Sequence, residues 1–152
     1  SAMASSEDRY APLRLDSQLC FPLYALSRIV TSQYQPLLAA HGLTYPQYLV
    51  LMVLWEEGSA SVGRISDRLL LGTNTLTPLL KRMEQDGWLR RERSRNDERV
   101  VKIGLTKKAA DFQETALSIP CALSERVLSG PLSQQQLFEL KTNLEKLIDF
   151  LK

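Results

Sequence analysis

The sequence has few of the residues that build metal sites and disulfide frameworks. It contains two cysteines and one histidine in 152 residues. A structural zinc site normally needs several Cys or His ligands, so we expect no metal and no cofactor. Cys20 and Cys121 lie far apart along the chain, which is not the pattern of a disulfide-stapled secreted protein. Reactive thiols remain as the cysteine chemistry to consider.

Long hydrophobic runs are also missing. No apolar run approaches the roughly 20 residues that a membrane-spanning helix needs, and residues 1–8 are polar rather than a basic and then apolar leader. We therefore expect a cytoplasmic protein with no membrane partner. The opening Ser1-Ala2-Met3 is typical of a tag remnant, and residues 1–14 as a whole are expected to be this remnant and a flexible N-terminus without function.

Positive charge is not in large excess, but it is concentrated in one region. The formal net charge is +2, with hydrophobic residues at 44% and charged residues at 24%. For nucleic-acid binding the position of the basic residues matters more than their sum. The basic side chains between residues 81 and 99 are Lys81, Arg82, Arg90, Arg91, Arg93, Arg95 and Arg99. This stretch is the basic centre of the chain.

Apolar spacing and capping residues predict a mainly helical chain. Thr44-Tyr45-Pro46-Gln47 has the hydroxyl, early proline and following Gln of a reciprocal cap, and Ser61 and Ser133 are further N-cap candidates. Pro36 threatens a kink near the end of the first helix. The predicted helices lie at about 16–41, 45–57, 61–69, 73–85, 106–128 and 133–151.

Two further patterns define the fold class. The short helices at 61–69 and 73–85 are joined by a tight turn, as in a helix-turn-helix. Residues 88–93 and 100–105 alternate apolar and polar positions around a charged turn, which predicts a hairpin. We expect a mainly α protein with a small β-hairpin. Its winged helix-turn-helix spans 44–105, and its N- and C-terminal dimerisation helices span 15–43 and 106–152.

The residue types in this region suit DNA. Thr73, Asn74, Thr75 and Thr77 open the fourth helix with short groups that fit base edges and phosphates. The cations suited to phosphates and to a minor groove are Lys81, Arg82, Arg93, Arg95 and Arg99. Asp97 is expected to pair with an arginine and hold the wing in shape. The alternative interpretation, a solvated charged face, does not account for the helix-turn-helix and the hairpin together.

The motif Asp97-Glu98-Arg99, the run LTPLLKRME at 76–84 and the flanking helices resemble the MarR family of bacterial transcription regulators. The resemblance covers nearly the whole chain from about Leu15. It implies a homodimer held by the first, fifth and sixth helices, which binds a pseudo-palindromic double-stranded operator with one recognition helix per half-site. The matching wing arginine is Arg99. A DNA-binding repressor is therefore expected, not an enzyme.

Within that family, the segments LCFPLY at 19–24 and TYPQY at 44–48 are similar to the organic hydroperoxide-sensing repressors (OhrR). The resemblance implies that Cys20 reacts with an organic hydroperoxide as inducer, and that Tyr34 and Tyr45 contact it from the partner subunit. Phe21 and Tyr24 are expected in the same pocket. Cys121 is expected to resolve the sulfenic acid as an intersubunit disulfide, and a small thiol is the alternative.

Four other interpretations stay open. Free cysteine is often a buried structural residue, and aromatic residues at helical spacing are more often core than ligand pocket. A related regulator released by a non-covalent phenolic ligand would leave both cysteines inert. A thiol peroxidase is the least favoured, because it has no use for the helix-turn-helix and the wing.

Overall fold

The structure is a computed structural model that describes residues 9–152; the expected tag remnant Ser1-Ala2-Met3 and residues 4–8 of the expected N-terminal segment 1–14 lie outside the described part. The helices are α1 (Cys20–Ala39), α2 (Tyr45–Glu57), α3 (Val62–Leu69), α4 (Thr73–Gln85), α5 (Lys107–Ala116), α6 (Ser118–Leu128) and α7 (Gln134–Leu151). The strands are β1 (Ser59–Ser61), β2 (Leu89–Arg93) and β3 (Val101–Leu105). The expected class, mainly helical with a β-hairpin, is confirmed.

Local capping explains where the central helices begin. Thr44 and Gln47 form a full capping box at the start of α2, with the Thr44 N–H donating to Gln47 Oε1 at 3.0 Å. Ser61 caps α3, Thr106 caps α5, and Ser133 caps α7 through its own capping box. Each hydroxyl satisfies a backbone N–H that has no partner within the helix. The predicted starts of these helices are confirmed to within a residue.

Two predicted helix boundaries are wrong. The first helix begins at Cys20 rather than near residue 16, because the 3-10 turns Ala11–Leu13 and Leu15–Ser17 precede it. The predicted helix 106–128 is two helices that meet at Leu117. The break follows from Pro120, which is tolerated in the first turn of α6 but not inside a continuous helix. Pro36 does not break α1, which continues to Ala39.

The sheet has a third strand that the sequence did not predict. Its order is β1-β3-β2, with both pairs antiparallel. Ile103 in the central strand faces Ala60 on one side and Arg91 on the other, and it is fully buried. β1 has three residues, too few for an alternating pattern to be visible in the sequence. The strand ties the start of α3 to the wing.

The core lies between the sheet and helices α2, α3 and α4. Its fully buried members include Leu38, Leu51, Leu54, Ile65, Leu76, Ile103, Met83 and Val50. α4 contributes Leu76, Leu80 and Met83, which repeat at helical spacing along one face. The opposite face and the first turn of α4 are therefore left to solvent.

The turn of the helix-turn-helix contains a left-handed residue that is not glycine. Leu70 has φ 55 and ψ 39, and its side chain is 55% exposed. The left-handed conformation costs a residue with a Cβ about 1 kcal/mol. The turn is nevertheless held, since the Leu71 N–H donates to the Ser66 carbonyl at 3.2 Å and the Ser66 hydroxyl donates to the Leu71 carbonyl.

Leu70→Gly is expected to raise the free energy of unfolding by about 0.5–1 kcal/mol, because glycine adopts this conformation without a steric cost. Urea unfolding at one fixed protein concentration measures the change. Leu70→Ala is the matched control, since it removes the exposed side chain but keeps the Cβ. Equal stabilities of the glycine and alanine variants would show that the turn stores no such strain.

The terminal helices expose much apolar surface in one chain. α7 has no buried residue, and α1 has only Leu38. Exposed apolar residues on these two helices include Phe21, Leu23, Tyr24, Leu26, Ile29, Phe138, Leu140, Leu147, Ile148 and Phe150. Apolar faces of this size mark an interaction surface in a folded protein. Within residues 9–152, none of the helices has the length and apolar character needed to cross a membrane.

Candidate DNA interface and thiol sites

The first turn of α4 presents short polar side chains to solvent. Thr73, Asn74, Thr75 and Thr77 are all exposed. The N-cap residue is Gly72, which has no side chain to cap the helix. Asn74 Oδ1 accepts a hydrogen bond from the Thr75 N–H at 3.0 Å. Free N–H groups and hydroxyls at an exposed helix start are suited to phosphates and base edges. Further along α4, Lys81 and Arg82 are exposed cations.

The wing is the β2–β3 hairpin with its tip at residues 94–100. Asp97 accepts the Arg99 N–H at 3.0 Å and the Arg99 guanidinium at 3.2 Å. These hydrogen bonds, the backbone one first, lower the pKa of Asp97 below its ordinary value, so the carboxylate stays charged at neutral pH. Arg93 donates to the Glu98 carbonyl at 2.8 Å across the tip, and Arg95 is exposed. The tip therefore carries Arg95 and Arg99 on an internally bonded loop, with Arg93 beside them at the end of β2.

Both thiols are exposed and free, and they lie on different helices. Cys20 is the first residue of α1, and Cys121 lies in the first turns of α6. α6 packs against the second half of α1, where Pro36, Leu37, Ala122 and Leu123 line a cleft of about 320 Å³. Cys121, on α6, therefore lies near the C-terminal end of α1, whereas Cys20 is at the N-terminal end of α1.

A cluster of tyrosines lies at the same remote end. The ring centroids of Tyr34 and Tyr45 are 5.0 Å apart, and those of Tyr34 and Tyr48 are 5.9 Å apart. Burial raises the pKa of the Tyr34 phenol above its ordinary value, with a further contribution from Tyr45, and burial also raises the pKa of Tyr45. The phenols therefore stay protonated at neutral pH and act as hydrogen-bond donors.

The structure separates the predicted sensing residues into two groups within one chain. Tyr34 comes fourteen residues after Cys20 on the same helix, which is about 21 Å along its axis. Phe21 and Tyr24 lie in the first turns of α1 with Cys20, and both are exposed. The Arg28 guanidinium lies over the Tyr24 ring at 5.2 Å. Cys20 therefore meets neither Tyr34 nor Tyr45 of its own chain.

Comparison with known proteins decides the family. Residues 32–115 match the family described as Transcriptional regulator SarA/Rot. The chain is 44% identical over 148 residues to the organic hydroperoxide resistance transcriptional regulator of Bacillus subtilis (strain 168), covering 95% of this chain and 97% of that relative. This chain belongs to the SarA/Rot family of MarR-type transcriptional regulators. It is a DNA-binding regulator and not an enzyme.

Solved structures of a second relative agree with this SarA/Rot assignment. AbfR of Staphylococcus epidermidis has been solved in its reduced form bound to DNA, with a TM-score of 0.72 and 36% identity over 95% of this chain and 99% of AbfR. A disulfide form of AbfR has a TM-score of 0.59 and 40% identity, with the same coverage of both chains. The MarR-type winged helix predicted from the sequence is therefore confirmed.

One residue of this SarA/Rot-family chain is important to its architecture and was missed in the sequence. Phe112 on α5 is buried, and its ring lies 4.8 Å from His41, 5.2 Å from Trp88 and 6.1 Å from Trp55, centroid to centroid. Only the 3.6-residue spacing of Ala109, Phe112 and Ala116 could have suggested an inward face.

In the part of the chain that the structure describes, no three His, Cys, Asp or Glu side chains group as a metal site.

Proposed function

We propose that this regulator is a homodimeric repressor that releases its operator when an organic hydroperoxide oxidises Cys20. One observation carries the proposal: an exposed thiol begins α1 in a chain that is 44% identical to a regulator of organic hydroperoxide resistance. A thiolate is the form of a cysteine that reacts with peroxides.

The homodimer explains the exposed apolar faces of α1 and α7. Antiparallel packing of two α1 helices would cover these faces, and it would also bring Cys20 of one subunit to the tyrosine end of its partner. The 21 Å of α1 between Cys20 and Tyr34 is then the reason that a complete sensing site needs two chains. Two-fold symmetry would present two α4 helices to successive major-groove faces about 34 Å apart, and so a pseudo-palindromic operator.

The oxidation consumes one hydroperoxide per thiol. The Cys20 thiolate sulfur attacks the outer oxygen of the hydroperoxide, the O–O bond breaks, and the alkoxide takes up a proton and leaves as an alcohol. The product is a sulfenic acid on Cys20. The protonated phenols of Tyr34 and Tyr45 from the partner subunit would donate hydrogen bonds to the thiolate and to the departing oxygen.

Cys121 is the proposed resolving thiol. Its sulfur attacks the sulfenic sulfur of Cys20, the S–O bond breaks, and hydroxide leaves with a proton as water, so that a disulfide forms. A disulfide needs Cα atoms within about 7 Å. In one chain, Cys20 begins α1, whereas Cys121 lies on α6 beside the other end of α1. The proposed bond is therefore intersubunit. AbfR, which has been solved in a disulfide form, is a relative that supports this chemistry.

Replacement of Tyr34 or Tyr45 by Phe is expected to slow oxidation of Cys20 about tenfold, because each change removes one hydrogen bond to a charged sulfur. Each ring is kept, so the packing of the tyrosine cluster changes little. The rate is followed by trapping the sulfenic acid with a dimedone probe in a Cys121→Ser background. Tyr10→Phe is the matched control, because Tyr10 is an exposed tyrosine outside the cluster of Tyr34, Tyr45 and Tyr48. An unchanged rate in both tyrosine variants would remove their proposed role.

A second candidate is release by a non-covalent phenolic ligand. One observation favours it: Tyr48, Met52, Trp55 and Leu117 line an open cleft of about 310 Å³ between α2 and the α5–α6 junction. An apolar, aromatic cleft of this size fits a small aryl compound. In this case a phenol such as salicylate would weaken operator binding, and Cys20→Ser would not change that effect.

The test is operator binding before and after oxidation. A duplex selected from a random pool by the reduced protein is titrated by fluorescence anisotropy at one fixed salt concentration, first with reductant and then after cumene hydroperoxide. Loss of binding that reductant reverses would support the sensing repressor. Specific binding that does not change after hydroperoxide treatment would contradict the sensing repressor and favour release by a phenolic ligand. Failure to select any duplex would contradict both candidates.

A further inference from the structure

Hydrogen bonds join the turn that follows α4 to the start of α5. The Thr106 hydroxyl lies 2.6 Å from the Gly87 carbonyl oxygen, to which it donates. The Lys108 ammonium donates to the Asp86 carbonyl at 2.9 Å and lies 4.2 Å from the centroid of the Trp88 ring. Asp86 is the C-cap of α4, so these contacts hold the end of α4 from a different helix.

Local helix energetics do not explain the position of Lys108. It lies in the first turn of α5, where a positive charge is unfavourable because helix N–H dipoles point toward it. Its ammonium instead reaches the C-terminal end of α4, where free carbonyl groups favour a cation. The neighbouring Lys107 behaves differently and pairs with Asp111 in its own helix at 3.0 Å. The two adjacent lysines thus have separate partners.

We propose that Lys108 is a positioning residue for DNA binding, which sets the angle of α4 without touching DNA. The proposal rests on α4 being the helix that reads DNA. α4 has 13 residues and is about 20 Å long, so a tilt at its C-terminal end displaces its exposed first turn. Base contacts depend on that placement more than contacts to the uniform phosphate backbone do.

The test compares three variants of the reduced full chain. Lys108→Met removes the hydrogen bond and the cation but keeps the aliphatic stem. Lys107→Met removes the same charge from the same helical turn and leaves the end of α4 untouched. Lys108→Arg restores a donor and a cation over Trp88. Dissociation constants are measured for the selected duplex and for a scrambled duplex of equal length, over a series of salt concentrations.

We expect Lys108→Met to weaken binding of the selected duplex about tenfold, because this exposed side chain loses two contacts together, the hydrogen bond to Asp86 and the cation–π contact with Trp88. Binding of the scrambled duplex and the salt slope should stay unchanged for this variant. Lys107→Met should leave both duplexes within about twofold, since an exposed pair contributes little. Lys108→Arg should recover most of the affinity.

Four outcomes would overturn the proposal. Equal losses in Lys107→Met and Lys108→Met would mean that net charge alone matters. A loss on both duplexes with a smaller salt slope would make Lys108 a direct phosphate contact. Thr75→Ala tests the premise that α4 reads DNA, because Thr75 lies in the exposed first turn of α4. If this variant leaves binding of the selected duplex intact, α4 does not read DNA. If Thr75→Ala weakens binding and Lys108→Met does not, only the positioning role fails.

Discussion

Cys20→Ser is expected to make operator binding indifferent to organic hydroperoxide. Serine keeps the size and polarity of the exposed side chain but cannot form the oxidisable thiolate. In the wild type, a change from mostly bound to mostly free requires the two states to differ in DNA affinity by several kcal/mol. We therefore expect a rise of at least about 100-fold in the wild-type dissociation constant after oxidation, and less than about twofold in Cys20→Ser.

Cys121→Ser is the control that assigns the second thiol. It should still form the sulfenic acid on Cys20, but it should yield no covalent dimer on a non-reducing gel. Wild type under the same treatment should run as a covalent dimer, while Cys20→Ser should not. A Cys20→Ser protein that still loses its operator after hydroperoxide treatment would show that sensing resides elsewhere in the molecule.

Phe112→Ala is expected to lower the free energy of unfolding by about 3–5 kcal/mol, the cost of deleting a large buried aromatic side chain. The Phe112 ring joins His41 at the end of α1 to Trp55 on α2 and Trp88 before the wing. Its loss leaves a cavity at the point where these elements meet. Urea unfolding at one fixed protomer concentration measures the change, because the stability of the proposed dimer would depend on concentration.

Phe112→Leu is the matched variant for this experiment. It fills much of the same volume and should cost about 1 kcal/mol. We expect Phe112→Ala to weaken binding of the selected duplex as well, since α5 holds the end of α4 through Thr106 and Lys108. Alanine and leucine variants of equal stability would contradict the view that Phe112 fills a tightly packed junction.

Elements with strong local signals were predictable from the sequence. Helix α2 has a capping box at Thr44 and ends at Glu57, just before Gly58, and α4 carries Leu76, Leu80 and Met83 at helical spacing. The hairpin was visible in its alternating strands and charged turn. Strand β1 was not, because three residues that pair with β3 depend on how a short segment fits against a distant part of the chain. The break at Leu117 has a local cause in Pro120, but the predicted helix 106–128 ran through it.

The candidate sites divide in the same way. The exposed start of α4, the wing arginines and the two cysteines were all named from residue type and position. The pairing of Asp97 with an arginine was expected, but the choice of Arg99 appears only in the folded loop. The spacing of Ala109, Phe112 and Ala116 could suggest that Phe112 faces inward, but nothing in the sequence indicated the partners of Phe112 or the contact of Lys108 with Asp86. Both join residues more than twenty positions apart.

The sequence by itself determined the helical and hairpin segments, the winged-helix class and the chemical groups available for DNA and peroxide. These depend on caps, turns and apolar periodicity, which act over a few neighbouring residues. The tertiary structure decided that Tyr45 and Tyr48 of α2 pack on Tyr34, far from Cys20, and that the start of α5 is hydrogen-bonded to the turn after α4. Such distances follow from packing between segments remote in sequence, because side chains far apart along the chain meet only once the core has formed.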